Sequence, residues 1–127
     1  MKDILLVFLG GGTGAMCRHL VSLAGLRYLG PSFPWGTFTV NILGSIIMGL
    51  FIEFLAHRLN SSPEFRLLVA TGFLGGFTTF SSFSLDTAVL WERGEPLLAF
   101  AYVAGSVLIG ITGLFIGLYI ARAAFSA

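Results

Sequence analysis

The sequence predicts an all-α membrane protein with four transmembrane helices, and three observations carry that prediction. The 127 residues include only seven basic and six acidic side chains, well under the roughly one quarter typical of soluble domains. Hydrophobic residues make up 56 % of the chain, more than a soluble fold of this size can hide. The few charges are spaced so that four long apolar stretches remain, each able to hold a helix of about 20 residues. The same arithmetic excludes other classes. A net charge of +1 leaves no electrostatic footprint for nucleic acid. A single cysteine supports no disulfide framework, and hydrophobicity this high is incompatible with disorder.

The predicted spans are 4–26, 35–56, 66–90 and 96–122, in one four-helix domain over 1–127. The first is uncharged except for Arg18. Lys2 ahead of an apolar run resembles the start of a signal peptide. Asp3 offsets that charge, however, and the apolar segment continues to Leu26, so the stretch is read as a retained span. Its Gly10, Gly11, Gly12, Thr13 and Gly14 do not form a phosphate loop, because no strand precedes them and no Gly-Lys-Ser or Gly-Lys-Thr follows. Arg18 either snorkels to the interface or stands as a fixed positive charge at a vestibule for anions.

The second span lies in the 25 uncharged residues from Tyr28 to Ile52. Asn41, Gly44, Ser45 and Gly49 fall near one helical face. A buried amide needs partners, so Asn41 either caps a neighbouring backbone or offers its N–H groups to a passing anion.

The third span is the most informative. It reads Thr71-Gly-Phe-Leu-Gly-Gly-Phe-Thr-Thr-Phe-Ser-Ser-Phe-Ser-Leu-Asp86. Gly75-Gly76 beside Thr78-Thr79 makes a poor helix centre, which predicts a third helix broken near its middle. Carbonyls freed there need protein, water or an ion as partner. The alternative is a continuous helix with glycine at a tight crossing. Phe80 and Phe83 are three apart and share a face. Aromatic edges are partially positive and can hold a small anion without the trap of a full charge; core packing is the competing role. Ser81, Ser82 and Ser84 add hydroxyl donors. In the fourth span, Tyr102 and Ser106 are four apart and can form a polar track or bond between helices.

Loop charges are nearly balanced. With the N-terminus on side one, that side carries Lys2, Arg58, Arg66 and Arg122, against Arg27, Arg93 and at most Arg18 on the other. Such a weak bias is compatible with one orientation or with both. A four-helix bundle fills its own middle with side chains, so a solute path calls for an oligomer. Gly10/Gly14, Ser45/Gly49, Gly72/Gly76 and Gly113/Gly117 are spaced for close helix contact, first of all within one chain. No acidic residue sits at mid-span, which argues against a proton-coupled carrier. His19, His57 and a lone Cys17 make no catalytic or zinc site. Asn60-Ser61-Ser62 matches a glycosylation sequon but reads as a short polar loop. A small dual-topology multidrug exporter shares the length and charge balance, yet would need an acidic residue embedded in the first span, and Ile4 to Cys17 holds none.

Three segments together resemble the Fluc (CrcB) fluoride channels: Gly11-Gly-Thr-Gly-Ala-Met-Cys-Arg18, Gly36-Thr-Phe-Thr-Val-Asn41-Ile-Leu-Gly44 and Thr71 to Ser84. The resemblance implies an antiparallel, dual-topology homodimer in the bacterial inner membrane, with two pores that export fluoride passively and confer fluoride resistance. It implies no enzymatic activity and no organic cofactor. Its partners would be fluoride, membrane lipid, an inverted copy of the chain, and a structural sodium ion at the dimer centre. By the same resemblance, the backbone carbonyls of Gly75 and Thr78 hold the sodium, while Phe80, Phe83 and Asn41 line the pores. Thr37, Ser81, Ser84, Tyr102 and Ser106 would be further polar contacts, and Arg18 the vestibule arginine. Ser82 replaces a usual threonine and keeps the hydroxyl. Asp86 replaces a common glutamate with a shorter reach.

Overall fold

A computed structural model describes residues 1–58 and 62–126, so Asn60 and Ser61 of the sequon lie outside the described residues. Helix α1 runs Lys2–Leu29, with Asp3 in its first turn and Arg27 in its last, each favoured by the helix dipole. Gly30, at φ 83°, ends it. Helix α2 is Trp35–Arg58. Helix α3 covers 63–77; Pro63 opens it and the Ser62 side chain caps it by accepting from the Phe65 N–H. Helix α4 is Phe80–Glu92. A turn through Gly94, at φ 79°, leads to α5, Pro96–Ser126.

Four stretches, Lys2–Leu29, Trp35–His57, Pro63–Glu92 and Pro96–Ser126, are long and apolar enough to cross a membrane. The helices overrun the apolar spans because helical hydrogen bonding continues through the charged residues at either end. Polar contacts tie those ends together. Lys2 Nζ lies 3.1 Å from Glu64 Oε1, and Arg122 Nε lies 3.0 Å from Glu53 Oε2. Arg93 Nη1 donates to the Pro31 carbonyl at 3.1 Å, joining the two turns at the other end.

Glycine governs how closely the helices approach. A Cβ on Gly10 would strike the Leu68 carbonyl, one on Gly14 the Phe73 carbonyl, and one on Gly76 the Gly11 carbonyl. Gly49 and Gly117 do the same between α2 and α5, against the carbonyls of Leu114 and Ile46. The glycine pairs noted in the sequence therefore pack within one chain. The α1–α3 seam also has an unusual period. Gly10 and Gly14, four apart, meet Leu68 and Phe73, five apart. Leu67–Leu74 is wound as a π-helix, in which each hydrogen bond spans five residues, so positions five apart stack in line.

Two residues leave helical geometry between α3 and α4: Thr78 at φ −81°, ψ 159° and Thr79 at φ −155°, ψ 119°. Gly75 and Gly76 remain helical, so the departure lies two residues beyond the glycines. Gly76 serves the close approach to α1, and the threonines make the step. Thr79 Oγ1 then caps α4, accepting from the Ser82 N–H at 3.2 Å. Thr79→Val should cost about 1 kcal/mol, read as a lower melting temperature in detergent. Thr79→Ser should restore most of it.

Candidate functional site

The step at Thr78–Thr79 is held by Asn41 across from it on α2. The Asn41 Nδ2 donates to the Thr79 carbonyl at 3.0 Å, and the Thr79 N–H donates to Asn41 Oδ1 at 2.7 Å. A single amide thus satisfies both backbone groups of a residue that is only 8 % exposed. Of the two roles open to Asn41, capping a neighbouring backbone is present. An amide nitrogen carries two hydrogens, so one donor remains beyond the Thr79 bond. Gly44 makes room for the step, since a Cβ there would strike Thr78 Cγ2. Ser45 Oγ donates back to the Asn41 carbonyl at 2.7 Å.

The step also diverts two amides. In a regular helix the N–H of residue 79 would serve the Gly75 carbonyl, and that of residue 82 the Thr78 carbonyl. Here the first goes to Asn41 Oδ1 and the second to Thr79 Oγ1. The Gly75 and Thr78 carbonyls therefore lose their helical donors, and Gly75 lies at the exposed surface of the chain.

Beside the step is an open cleft of about 370 Å³. Asn41, Thr78, Phe80, Phe83 and Ser106 line it, together with Ser45 and Met48. Five residues singled out from the sequence thus meet at one place, drawn from α2, the step, α4 and α5. Among the described residues, no ionisable side chain lines this cleft. The Ser106 hydroxyl is buried without a hydrogen-bond partner among the described residues, which leaves an O–H whose desolvation they do not compensate. The Phe80 and Phe83 rings lie 5.6 Å apart, inclined by 48°. Phe80 is 80 % exposed, so the cleft stands open on the side that this ring faces.

Other predicted residues lie elsewhere. Tyr102 is fully buried, its ring 5.3 Å from Phe83 and 5.4 Å from Phe33. Its hydroxyl donates to Asp86 Oδ2 at 3.1 Å. Asp86 and Thr37 line a second cleft of about 260 Å³, with Arg93, Trp35 and Ser22. The Phe83–Tyr102 contact and the Tyr102–Asp86 hydrogen bond thus link the two clefts. Ser84 Oγ is spent on the Phe80 carbonyl at 3.0 Å. Ser81 is exposed, its Oγ 3.4 Å from Thr79 Oγ1. Arg18 is partly buried on α1 and lines neither cleft.

Sequence reasoning did not single out Arg93 as a cleft residue or foresee the partner of Asp86. The run of four residues Arg93-Gly-Glu-Pro96 read only as a turn. The sixteen-residue separation of Asp86 and Tyr102 has no local signature.

Comparison with known proteins agrees with the motifs. The family described as CrcB-like protein, Camphor Resistance (CrcB), matches residues 5–118. The chain is 57 % identical over 122 residues to the Fluoride-specific ion channel FluC of Mesorhizobium japonicum, covering 96 % of this chain and 98 % of that protein. The protein of the same name from Chelativorans sp. is similar to the same extent, 57 % over 122 residues, with 96 % and 98 % covered. That from Agrobacterium fabrum is 50 % identical over 125 residues, covering 98 % of this chain and all of the relative. The described helices account for nearly the whole matched segment, and the resemblance drawn from three short motifs holds along its length: the chain belongs to the CrcB-like family.

Proposed function

We propose that this multi-pass membrane protein is a fluoride-selective channel subunit that lets cytoplasmic fluoride leave down its electrochemical gradient. The observation that carries the reading is the Asn41–Phe80–Phe83–Ser106 cleft, with a Ser106 hydroxyl unpartnered and no ionisable lining among the described residues. The relatives' names, Fluoride-specific ion channel FluC, point the same way. The protein is a transporter and not an enzyme.

Fluoride is small and holds its water tightly, so a path for it must replace that water with close donors. The remaining Asn41 N–H, the Ser106 O–H and the edges of Phe80 and Phe83 are such donors. None carries a full charge, and conduction needs binding weak enough to release. An aromatic edge presents a partial positive charge only to an ion that comes close, which favours a small anion over chloride.

The finer reading is an antiparallel homodimer with two pores. A ring as exposed as Phe80, beside hydroxyls at Ser81 and Ser84, supports a second copy covering the open side of the cleft. A structural sodium ion fits the diverted backbone. The Gly75 and Thr78 carbonyls are acceptors without helical donors, and Gly75 lies at the surface. Two carbonyls from each of two symmetry-related copies make an all-oxygen donor set of the kind hard cations prefer. The ion would satisfy those carbonyls and add positive potential near the anion path.

The deciding experiment is efflux from proteoliposomes. Vesicles loaded with fluoride should empty rapidly on addition of a potassium ionophore, while chloride-loaded vesicles should hold their contents. Comparable chloride efflux would defeat the selectivity. Phe80→Ile and Phe83→Ile keep apolar volume but remove the ring edges. Each should lower fluoride flux by about tenfold or more, the equivalent of about 1.4 kcal/mol at the barrier, with an unchanged elution profile. Wild-type flux in both variants would reduce the rings to packing.

A further inference from the structure

At the end of the bundle remote from Asp86 and Arg93, α2 and α5 hold a cluster that the conduction path does not use. Glu53, in the last turns of α2, is only 8 % exposed. Its Oε1 lies 2.9 Å from His57 Nε2 and its Oε2 lies 3.0 Å from Arg122 Nε. The His57 ring stacks on Phe125, with centroids 5.4 Å apart. Phe125 also meets Phe54 at 5.9 Å. Both phenylalanines line an apolar groove of about 420 Å³ between the two helices, with Leu50, Ile47, Ile120 and Ala124.

Three features say what this groove takes. Leu50 follows Asn41 by nine residues, about half a turn round α2 at 100° per residue. The groove therefore faces away from the Asn41 cleft, and away from the side left open for a second copy. What lies against an apolar groove there is lipid hydrocarbon. Second, the groove reaches the helix ends where charge begins, the level of lipid headgroups. Third, two basic side chains share one carboxylate. Arg122 meets Glu53 through its inner nitrogen and remains 62 % exposed, so Glu53 positions the guanidinium without enclosing it. A guanidinium fork is matched to phosphate oxygens.

We propose that this groove binds an anionic phospholipid, with one acyl chain against Leu50, Phe54, Ala124 and Phe125, and the phosphate on Arg122 beside His57. Glu53 is the positioning residue of the site.

The test is native mass spectrometry of the purified protein after incubation with equal amounts of phosphatidylglycerol and phosphatidylcholine of the same chain length. The wild type should retain phosphatidylglycerol over phosphatidylcholine by about fivefold, the order one basic residue gives beside an anionic lipid. Arg122→Gln should abolish the preference while some lipid of either kind remains. Ala124→Trp, which fills the groove, should abolish retention of both. Equal retention of the two lipids by the wild type would overturn the proposal. So would a preference that survives Arg122→Gln, or retention that survives Ala124→Trp. Efficient disulfide formation between two copies carrying Ala124→Cys in membranes would show a second protein on this face, and would also overturn it.

Discussion

Asn41→Ala should be among the most damaging single substitutions near the cleft, and it should act on stability and flux together. The amide satisfies the N–H and the carbonyl of Thr79, and both become orphans when it is removed. Buried unpaired backbone groups cost about 1–3 kcal/mol each, so a loss of about 2–4 kcal/mol is expected as a lower melting temperature. The step at Thr78–Thr79 aims Phe80 and the start of α4, so fluoride efflux should collapse with it. Asn41→Asp asks whether the cleft must stay neutral. The carboxylate still accepts from the Thr79 N–H, but it has no donor for an ion and adds negative charge to a neutral cleft. Its second oxygen would face the Thr79 carbonyl, so stability should fall at least as far as in Asn41→Ala, and flux with it. Full flux in Asn41→Asp would remove Asn41 from the conduction path and leave it a purely structural clamp.

Gly10→Val and Gly76→Val should be nearly as severe, for a different reason. A Cβ at either position meets a backbone carbonyl on the facing helix, that of Leu68 or of Gly11. Backbone cannot swing aside as a flexible side chain does. The helices must part, and contacts along the whole seam weaken. Overpacking in cores costs about 1–3 kcal/mol and occasionally more, and the upper part of that range applies here. Gly12 provides the contrast, since a Cβ there meets nothing within 4 Å. Gly12→Ala should leave the melting temperature unchanged or raise it slightly, as removing a helical glycine stabilises by about 0.5–1 kcal/mol. Equal damage at positions 10, 12 and 76 would show that the loss comes from helix propensity and not from contact.

The four spans were legible because apolar length and sparse charge are local properties, written in consecutive residues. Much of the candidate site was legible too, because polar residues inside membrane helices stand out. Asn41, Phe80, Phe83 and Ser106 do meet. What the sequence hid depends on contacts between distant segments. The sequence points to Gly75-Gly76 with Thr78-Thr79 without saying which of them leaves the helix; the glycines stay helical and the step falls at Thr78–Thr79. A glycine used for close packing and one used for a bend look alike until the facing helix is known. Of the two roles the sequence leaves open for Tyr102, a polar track or a bond between helices, the second is present, but its partner Asp86 has no local signature. Glu53 escaped notice because it stands just past an uncharged run and reads as an end-of-span charge. Its burial comes from α5, some seventy residues further along the chain.

The π-wound stretch Leu67–Leu74 carries a consequence for how this protein can change length over evolution. A π turn takes up about one residue more than an α turn. Removing one residue there therefore lets ordinary α winding return with the helix beyond facing nearly as before, whereas removing one from the regular turn at 75–77 would swing everything beyond it by about 100°. In the second case the Thr78–Thr79 step would rotate out of reach of Asn41. An added residue would do the same in the opposite sense. Insertions and deletions among family members should therefore collect in the turns at 30–34 and 93–95, where only loop closure is at stake. Within the third span a one-residue change should fall in Leu67–Leu74, while the count from Gly75 to Phe83 stays fixed, however freely its apolar side chains exchange.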